Sequence, residues 1–171
     1  QASSSAASDV YKRQDIILSM KAGFNGARLH EKVFEDRFHY WADKLGYITW
    51  SEFPNWGMNE NAKASETYFL REWPRIVNYL KNHPSIITWT PFNETNTLEC
   101  NSQHKKLMRI AYDVTKKIDP TRPVNETSGY QHQKTDIWTV HHYEPKPDKL
   151  MKALNPKKGV YSCLLYTSPS P

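Results

Sequence analysis

Short runs of β-forming residues recur along this chain, each ending in polar or charged side chains, with helix-spaced apolar residues between them. Residues 24–29 (FNGARL) lead to Arg28 and His30, and residues 47–53 (YITWSEF) lead to Glu52. Residues 85–92 (SIITWTPF) lead to Asn93 and Glu94. Residues 122–127 (RPVNET) carry Asn125 and Glu126, and residues 136–143 (DIWTVHHY) end in His141, His142 and Tyr143. Between them, Phe34, Phe38, Trp41, Ala42 and Leu45 fall on one helical face, closed by Gly46. Phe69, Leu70, Trp73, Ile76, Val77 and Leu80 form a second face, which Pro74 should kink or start late. Leu107, Ile110, Ala111, Val114 and Ile118 form a third, ending before Pro120. Residues 14–22 read as the end of an earlier helix, stopped by Gly23.

Such alternation means parallel strands joined by crossover helices, because a parallel return needs a long connection. An open doubly wound sheet should carry a Gly-rich phosphate loop after one strand, and the sequence has none. A closed barrel collects its polar residues at the strand C-terminal ends, where these residues stand. The expected fold class is therefore α/β: a partial TIM (β/α)8 barrel with about five parallel strands and intervening helices. A whole barrel takes about 250 residues, and this chain has 171. Missing barrel segments are accordingly expected.

Both termini lack the periodicity of the body. Residues 1–13 and 161–171 are expected to be foreign or disordered tails around a barrel segment at 14–160. The net charge is +5, but Lys and Arg are scattered, so no nucleic-acid stripe is expected. No run approaches the apolar length of a membrane span, so no membrane partner is expected either. With Cys163 in the tail, Cys100 stands alone and no disulfide framework follows.

The segment NHPSIITWTPFNE sets Asn93 and Glu94 directly after an apolar strand. Apolar walls disfavour a charged carboxylate, so Glu94 is expected to have a raised pKa, suited to a general acid. Asn93 can hydrogen-bond a substrate hydroxyl. An Asn-Glu pair after a strand is also ordinary helix N-cap chemistry. Phe53 and Trp56 lie in or beside the loop after a strand and could stack on sugar, while Trp50 and Trp89 read as core. Glu126 reads as a surface or rim residue beside Arg122, and less readily as a second catalytic carboxyl near Glu94. The two Asn-Glu-Thr triplets, at Asn93 and Asn125, read as chance matches to the glycosylation pattern.

NHPSIITWTPFNE is similar to the acid/base segment of glycoside hydrolase family 2, and GFNGARLH and YWADKLGYITWSEFPN resemble earlier units of its barrel. DPTRPVNETSGY and TDIWTVHHYE resemble the two units that follow. The resemblance implies a retaining β-glycosidase acting on a carbohydrate substrate, usually flanked by β-sandwich domains. It implies Glu94 as general acid/base and Asn93 on the sugar 2-hydroxyl. Arg28 would support the nucleophilic carboxylate or the sugar, and His141, His142 and Tyr143 would line the pocket; Glu52 reads as a pocket residue or as a support behind it, and Trp56 as a stacking face in the loop. Some members use the residue at Glu52 for metal, but FPNWG lacks their further ligands, so no metal or cofactor is expected. The family's nucleophile is a Glu on a later strand. Residues 144–160 contain no apolar strand ending in Glu, so the nucleophile is expected to lie outside this chain. Two other readings remain at this point: an endo-acting cellulase- or mannanase-like barrel, and a non-catalytic sugar-binding barrel.

Overall fold

The computed structural model describes residues 2–95, 100–129, 131–141, 143–146, 148–149 and 161–164. Helix α1 (Ala2–Lys21) precedes strand β1 (Gly26–Leu29), and α2 (Asp36–Leu45) leads into β2 (Ile48–Glu52). Helix α3 (Lys63–Leu80) leads into β3 (Ile86–Thr90) and the short β4 (Phe92–Asn93). Helix α4 (Ser102–Ile118) is followed by β5 (Thr127–Ser128), β6 (Trp138–His141) and β7 (Tyr161–Leu164). The first sheet has the order β1-β2-β3, and both pairings are parallel. β4 pairs with β5 and β6 with β7, again in parallel. Sequential parallel strands with helical crossovers are the construction rule of a TIM barrel, seen here in part.

Local chemistry explains most of the boundaries. Gly46 ends α2 in the left-handed region (φ 69°), and its N–H returns to the Ala42 carbonyl. Asn101 caps α4 by accepting from the His104 N–H at 3.0 Å. Pro91, which has no N–H to donate, separates β3 from β4. The expected strand at 122–127 is reduced to a Trp89–Val124 bridge followed by β5.

Three boundaries differ from the sequence reading. Pro74 neither starts nor stops α3, which runs unbroken from Lys63 to Leu80. The cost of the lost hydrogen bond is offset by burial of Phe69, Trp73, Val77 and Leu80 on its inner face. Helix α1 extends back to Ala2, through residues expected as a tail, and no apolar stripe marks that stretch. Tyr161–Leu164, placed in the other tail, pairs with β6 as a strand.

Two apolar clusters anchor the arrangement. Trp73, Trp89, Phe53, Phe69, Phe92, Leu107 and Met108 pack α3 and α4 against the sheet. Ile16, Leu29, Phe38, Ala42 and Tyr47 pack α1 and α2 against β1. Phe53, expected as a sugar platform, is buried here, 5.2 Å ring to ring from Phe69. Trp89 is buried as expected, with its indole N–H on Asp119 at 2.8 Å. Arg122 clamps the strand approaches: its guanidinium donates to the carbonyls of Lys81, His83 and Ile86 and to Asp119.

Two buried imidazoles give this core an acid sensitivity. His39 is fully buried, with no partner on either ring nitrogen among the described residues, and burial holds its pKa down to about 4. His104 is likewise depressed to about 4 by burial. The unfolded chain takes up these protons at about 6.5, before the folded chain does, so stability falls as pH drops from there towards 4. For His39 alone the loss is on the order of 3 kcal/mol. Urea unfolding of wild type and His39→Leu between pH 7 and pH 4 checks this: the variant should lose less stability on acidification.

Candidate active site

The strand C-terminal ends gather the polar residues. Arg28 at the end of β1 is almost fully buried, and its Nε donates to Glu52 at the end of β2. Its Nη2 donates to the Asn93 side-chain oxygen at 2.6 Å, so one guanidinium ties β1, β2 and β4 together. Nη1 has no partner among the described residues. The second oxygen of Glu52 accepts from the Glu31 N–H at 2.9 Å and meets His30 Nδ1 at 3.1 Å. That hydrogen bond, ahead of all other influences, holds the His30 pKa above its usual range. Glu52 is thus committed to organising its neighbours.

Asn93 is fixed twice. Its side-chain oxygen is taken by Arg28, and its backbone N–H donates to Asn55 at 3.1 Å. Asn55 in turn donates to Glu60 at 2.8 Å, whose carboxyl is pushed up by burial. With its oxygen occupied, the Asn93 amide is left with its NH2 group to present.

Glu94 adopts a left-handed backbone (φ 50°), a conformation that costs a non-glycine residue about 1 kcal/mol or more. Its N–H donates to the Ser128 carbonyl at 2.6 Å, which holds the turn in place. Beyond it, the Thr95 and Thr127 hydroxyls bond at 2.7 Å and fasten this turn to β5. The turn swings the Glu94 side chain towards β6, where Oε1 meets His141 Nδ1 at 2.7 Å and accepts from the Tyr143 hydroxyl. The side chain keeps 32% exposure, enough for a ligand to reach it. His141 is buried, and its Nε2 lies 2.7 Å from the Ser128 hydroxyl. Gly129 follows with φ 115°; a methyl group there would lie 3.4 Å from Glu94 Cα and 3.5 Å from His141 Nδ1.

The charge state of Glu94 departs from the sequence expectation of a raised pKa. Burial does push the carboxyl up, but the Tyr143 hydroxyl and the His141 imidazole outweigh it. Its pKa lies below the ordinary glutamate value. Hydrogen bonds donated to the charged form stabilise it, and both donors come from the β6 end, invisible in the strand that carries Glu94.

The other candidates separate cleanly. Glu126 is fully buried, not at the rim: one oxygen accepts from the Gln133 and Lys134 N–H groups, and the other meets His132 at 3.0 Å. It staples the β5–β6 connection. Trp56 stands 81% exposed in the loop after β2. Trp50 is half-buried, its N–H on Thr90. His142 lies outside the described residues. Arg28, Glu52 and Asn93 form one hydrogen-bonded cluster and Glu94, His141 and Tyr143 another, joined by the Asn93–Glu94 peptide. Ser128, Asn55 and Glu31 were missed by the sequence reading, and only the Ser-Gly pair after a strand hinted at the first.

A profile of the glycosyl hydrolases family 2, TIM barrel domain, matches residues 7–161. The chain is 35% identical over 132 residues to a β-galactosidase of Psychromonas ingrahamii, covering 72% of this chain and 12% of that protein. A β-glucuronidase of Sus scrofa is 25% identical over 124 residues, covering 71% of this chain and 19% of that protein. This chain therefore spans a small part of the length of these relatives. Among solved structures, the β-D-glucuronidase of Dictyoglomus thermophilum superposes with a TM-score of 0.67 at 23% identity, covering 78% of this chain and 26% of that one. Bacteroides uniformis β-glucuronidase 3 gives 0.69 at 22% identity, covering 79% and 18%. These structural likenesses speak for the barrel fold.

Removing the Tyr143 hydroxyl should raise the Glu94 pKa. A carbon-13 titration of the Glu94 carboxyl in Tyr143→Phe should show its midpoint above that of wild type.

Proposed function

Because this chain belongs to the TIM-barrel domain of the glycosyl hydrolases family 2, we propose that it supplies the acid/base half of a retaining β-glycosidase site, with Glu94 as the proton-transfer group. The observation that carries the reading is the joint placement of Asn93 and Glu94. One presents an amide NH2 with its oxygen held by Arg28, and the other a partly exposed carboxyl anchored through a single oxygen. The substrate class is a β-linked hexoside; the matched relatives include both a β-galactosidase and a β-glucuronidase.

In this mechanism the Asn93 amide donates to the sugar 2-hydroxyl, a contact that strengthens as the anomeric carbon becomes positive. Glu94 first gives a proton to the departing oxygen, then takes one from water. The low pKa set by His141 and Tyr143 suits the second step, in which Glu94 must act as a base. For the first step the pKa must rise. A retaining pair sets a second carboxylate about 5 to 5.5 Å away, and its charge together with exclusion of water by the sugar drives that rise. The unpartnered Arg28 Nη1 is suited to hold that second carboxylate. The nucleophile is assigned to a later strand, outside this chain, and further domains of the whole protein complete the pocket. Trp56, exposed at the mouth, offers an apolar face to the leaving group.

Glu94→Gln in an enzyme carrying this chain within a complete barrel tests the role. Hydrolysis of alkyl β-glycosides, whose leaving groups need a proton, should fall by roughly 10²- to 10⁴-fold. Activated aryl glycosides should lose far less in the first chemical step. Undiminished hydrolysis of alkyl glycosides would remove Glu94 from this role.

A further inference from the structure

Two donors converge on one oxygen of Glu94. His141 Nδ1 lies 2.7 Å from Oε1, and the Tyr143 hydroxyl donates to the same atom. Among the described residues nothing donates to Oε2. The other side of the imidazole is engaged as well: Nε2 lies 2.7 Å from the Ser128 hydroxyl, and both groups are buried. Ser128 also receives the Glu94 N–H on its carbonyl, and Gly129, with φ 115°, lies beside the glutamate Cα and the histidine ring. A serine at the end of β5 thus touches the backbone of Glu94 directly and its carboxyl through one ring.

A neutral imidazole has one donor and one acceptor nitrogen. The Glu94 carboxylate at Nδ1 favours the proton there, and the Ser128 hydroxyl at Nε2 keeps that nitrogen an acceptor; the two contacts together select the Nδ1–H tautomer. The Ser128 hydroxyl then donates to Nε2, and every group in the chain Ser128–His141–Glu94 is satisfied. The reverse tautomer would set two lone pairs against each other at Glu94 and leave the serine hydroxyl as an acceptor.

We propose that Ser128 is a positioning residue that locks His141 as its Nδ1–H tautomer and so keeps the transferable proton of Glu94 on Oε2. With Oε1 occupied by two donors, a proton arriving at the carboxyl settles on the other oxygen, the one not tethered to β6. That oxygen transfers the proton to the leaving group and later removes one from water, without a rearrangement of the His141 contact. The charged and titratable groups bearing on Glu94 are His141 and Tyr143 from the β6 end and His30 and Glu31 from the β1 end. Of these, only His141 and Tyr143 are hydrogen-bonded to it. The catalytic consequence rests on the acid/base reading of Glu94; the tautomer itself does not.

The test is nitrogen-15 NMR of the His141 ring in the full 171-residue chain, at a pH where the ring is neutral. The expected spectrum shows a protonated Nδ1 and an acceptor-type Nε2. Ser128→Ala should turn the single tautomer into a mixture and move the Glu94 carboxyl titration upward, and Ser128→Thr should restore both. A protonated Nε2 in the neutral wild-type ring would overturn the proposal, and this reading needs no variant. So would a Ser128→Ala chain in which neither the tautomer nor the Glu94 titration moves. Because no turnover is measured, a failed lock would leave the glycosidase reading standing, and a failed glycosidase reading would leave the tautomer result intact.

Discussion

The buried guanidinium of Arg28 is the contact on which the site depends. A lone buried cation would be expensive, and this one is tolerated because Glu52 and Asn93 meet it from the next strands. Removing Glu52 would strand that charge, and removing Arg28 would strand the carboxylate, which also organises His30 and the Glu31 N–H. The pair therefore does more than add stability. It sets the relative height of the strand ends β1, β2 and β4, and with it the orientation of the Asn93 amide.

The second half of the site is built differently. Glu94 leaves β4 in a left-handed turn, and the Ser128–Gly129 pair at the end of β5 receives it. One half is held by charge and the other by a tight backbone fit, and the Asn93–Glu94 peptide joins them. Strain at such a residue persists only where surrounding contacts fix it, here the Ser128 carbonyl, the Thr95–Thr127 bond and the His141 ring.

Much of this was legible in the sequence, and the exceptions have physical causes. The strand–helix alternation, the Gly46 stop and the location of Asn93 and Glu94 at a strand end follow from local patterning. Pro74 does not delay the start of α3, because tertiary burial of the α3 face outweighs one lost hydrogen bond. Residues 2–13 have no apolar stripe, so the start of α1 at Ala2 is not legible in their pattern. The charge state of Glu94 was misread for a related reason. Its own strand shows apolar walls, while the donors that decide the matter, His141 and Tyr143, arrive from a distant segment. Glu126 resembled a rim carboxylate in sequence and is a fully buried staple in the fold.

In the proposed role, Glu94 transfers protons and is not the group that bonds to the sugar. The most direct measurement is the anomeric configuration of the product when a Glu94→Ala enzyme, carrying this chain in a complete barrel, cleaves an activated β-glycoside in the presence of azide. If Glu94 is the acid/base, the covalent intermediate still forms on the opposite face, and azide enters from the side the leaving group vacated. The expected product is a β-glycosyl azide. An α-glycosyl azide would mean that Glu94 had been the nucleophile, and would contradict the proposed role.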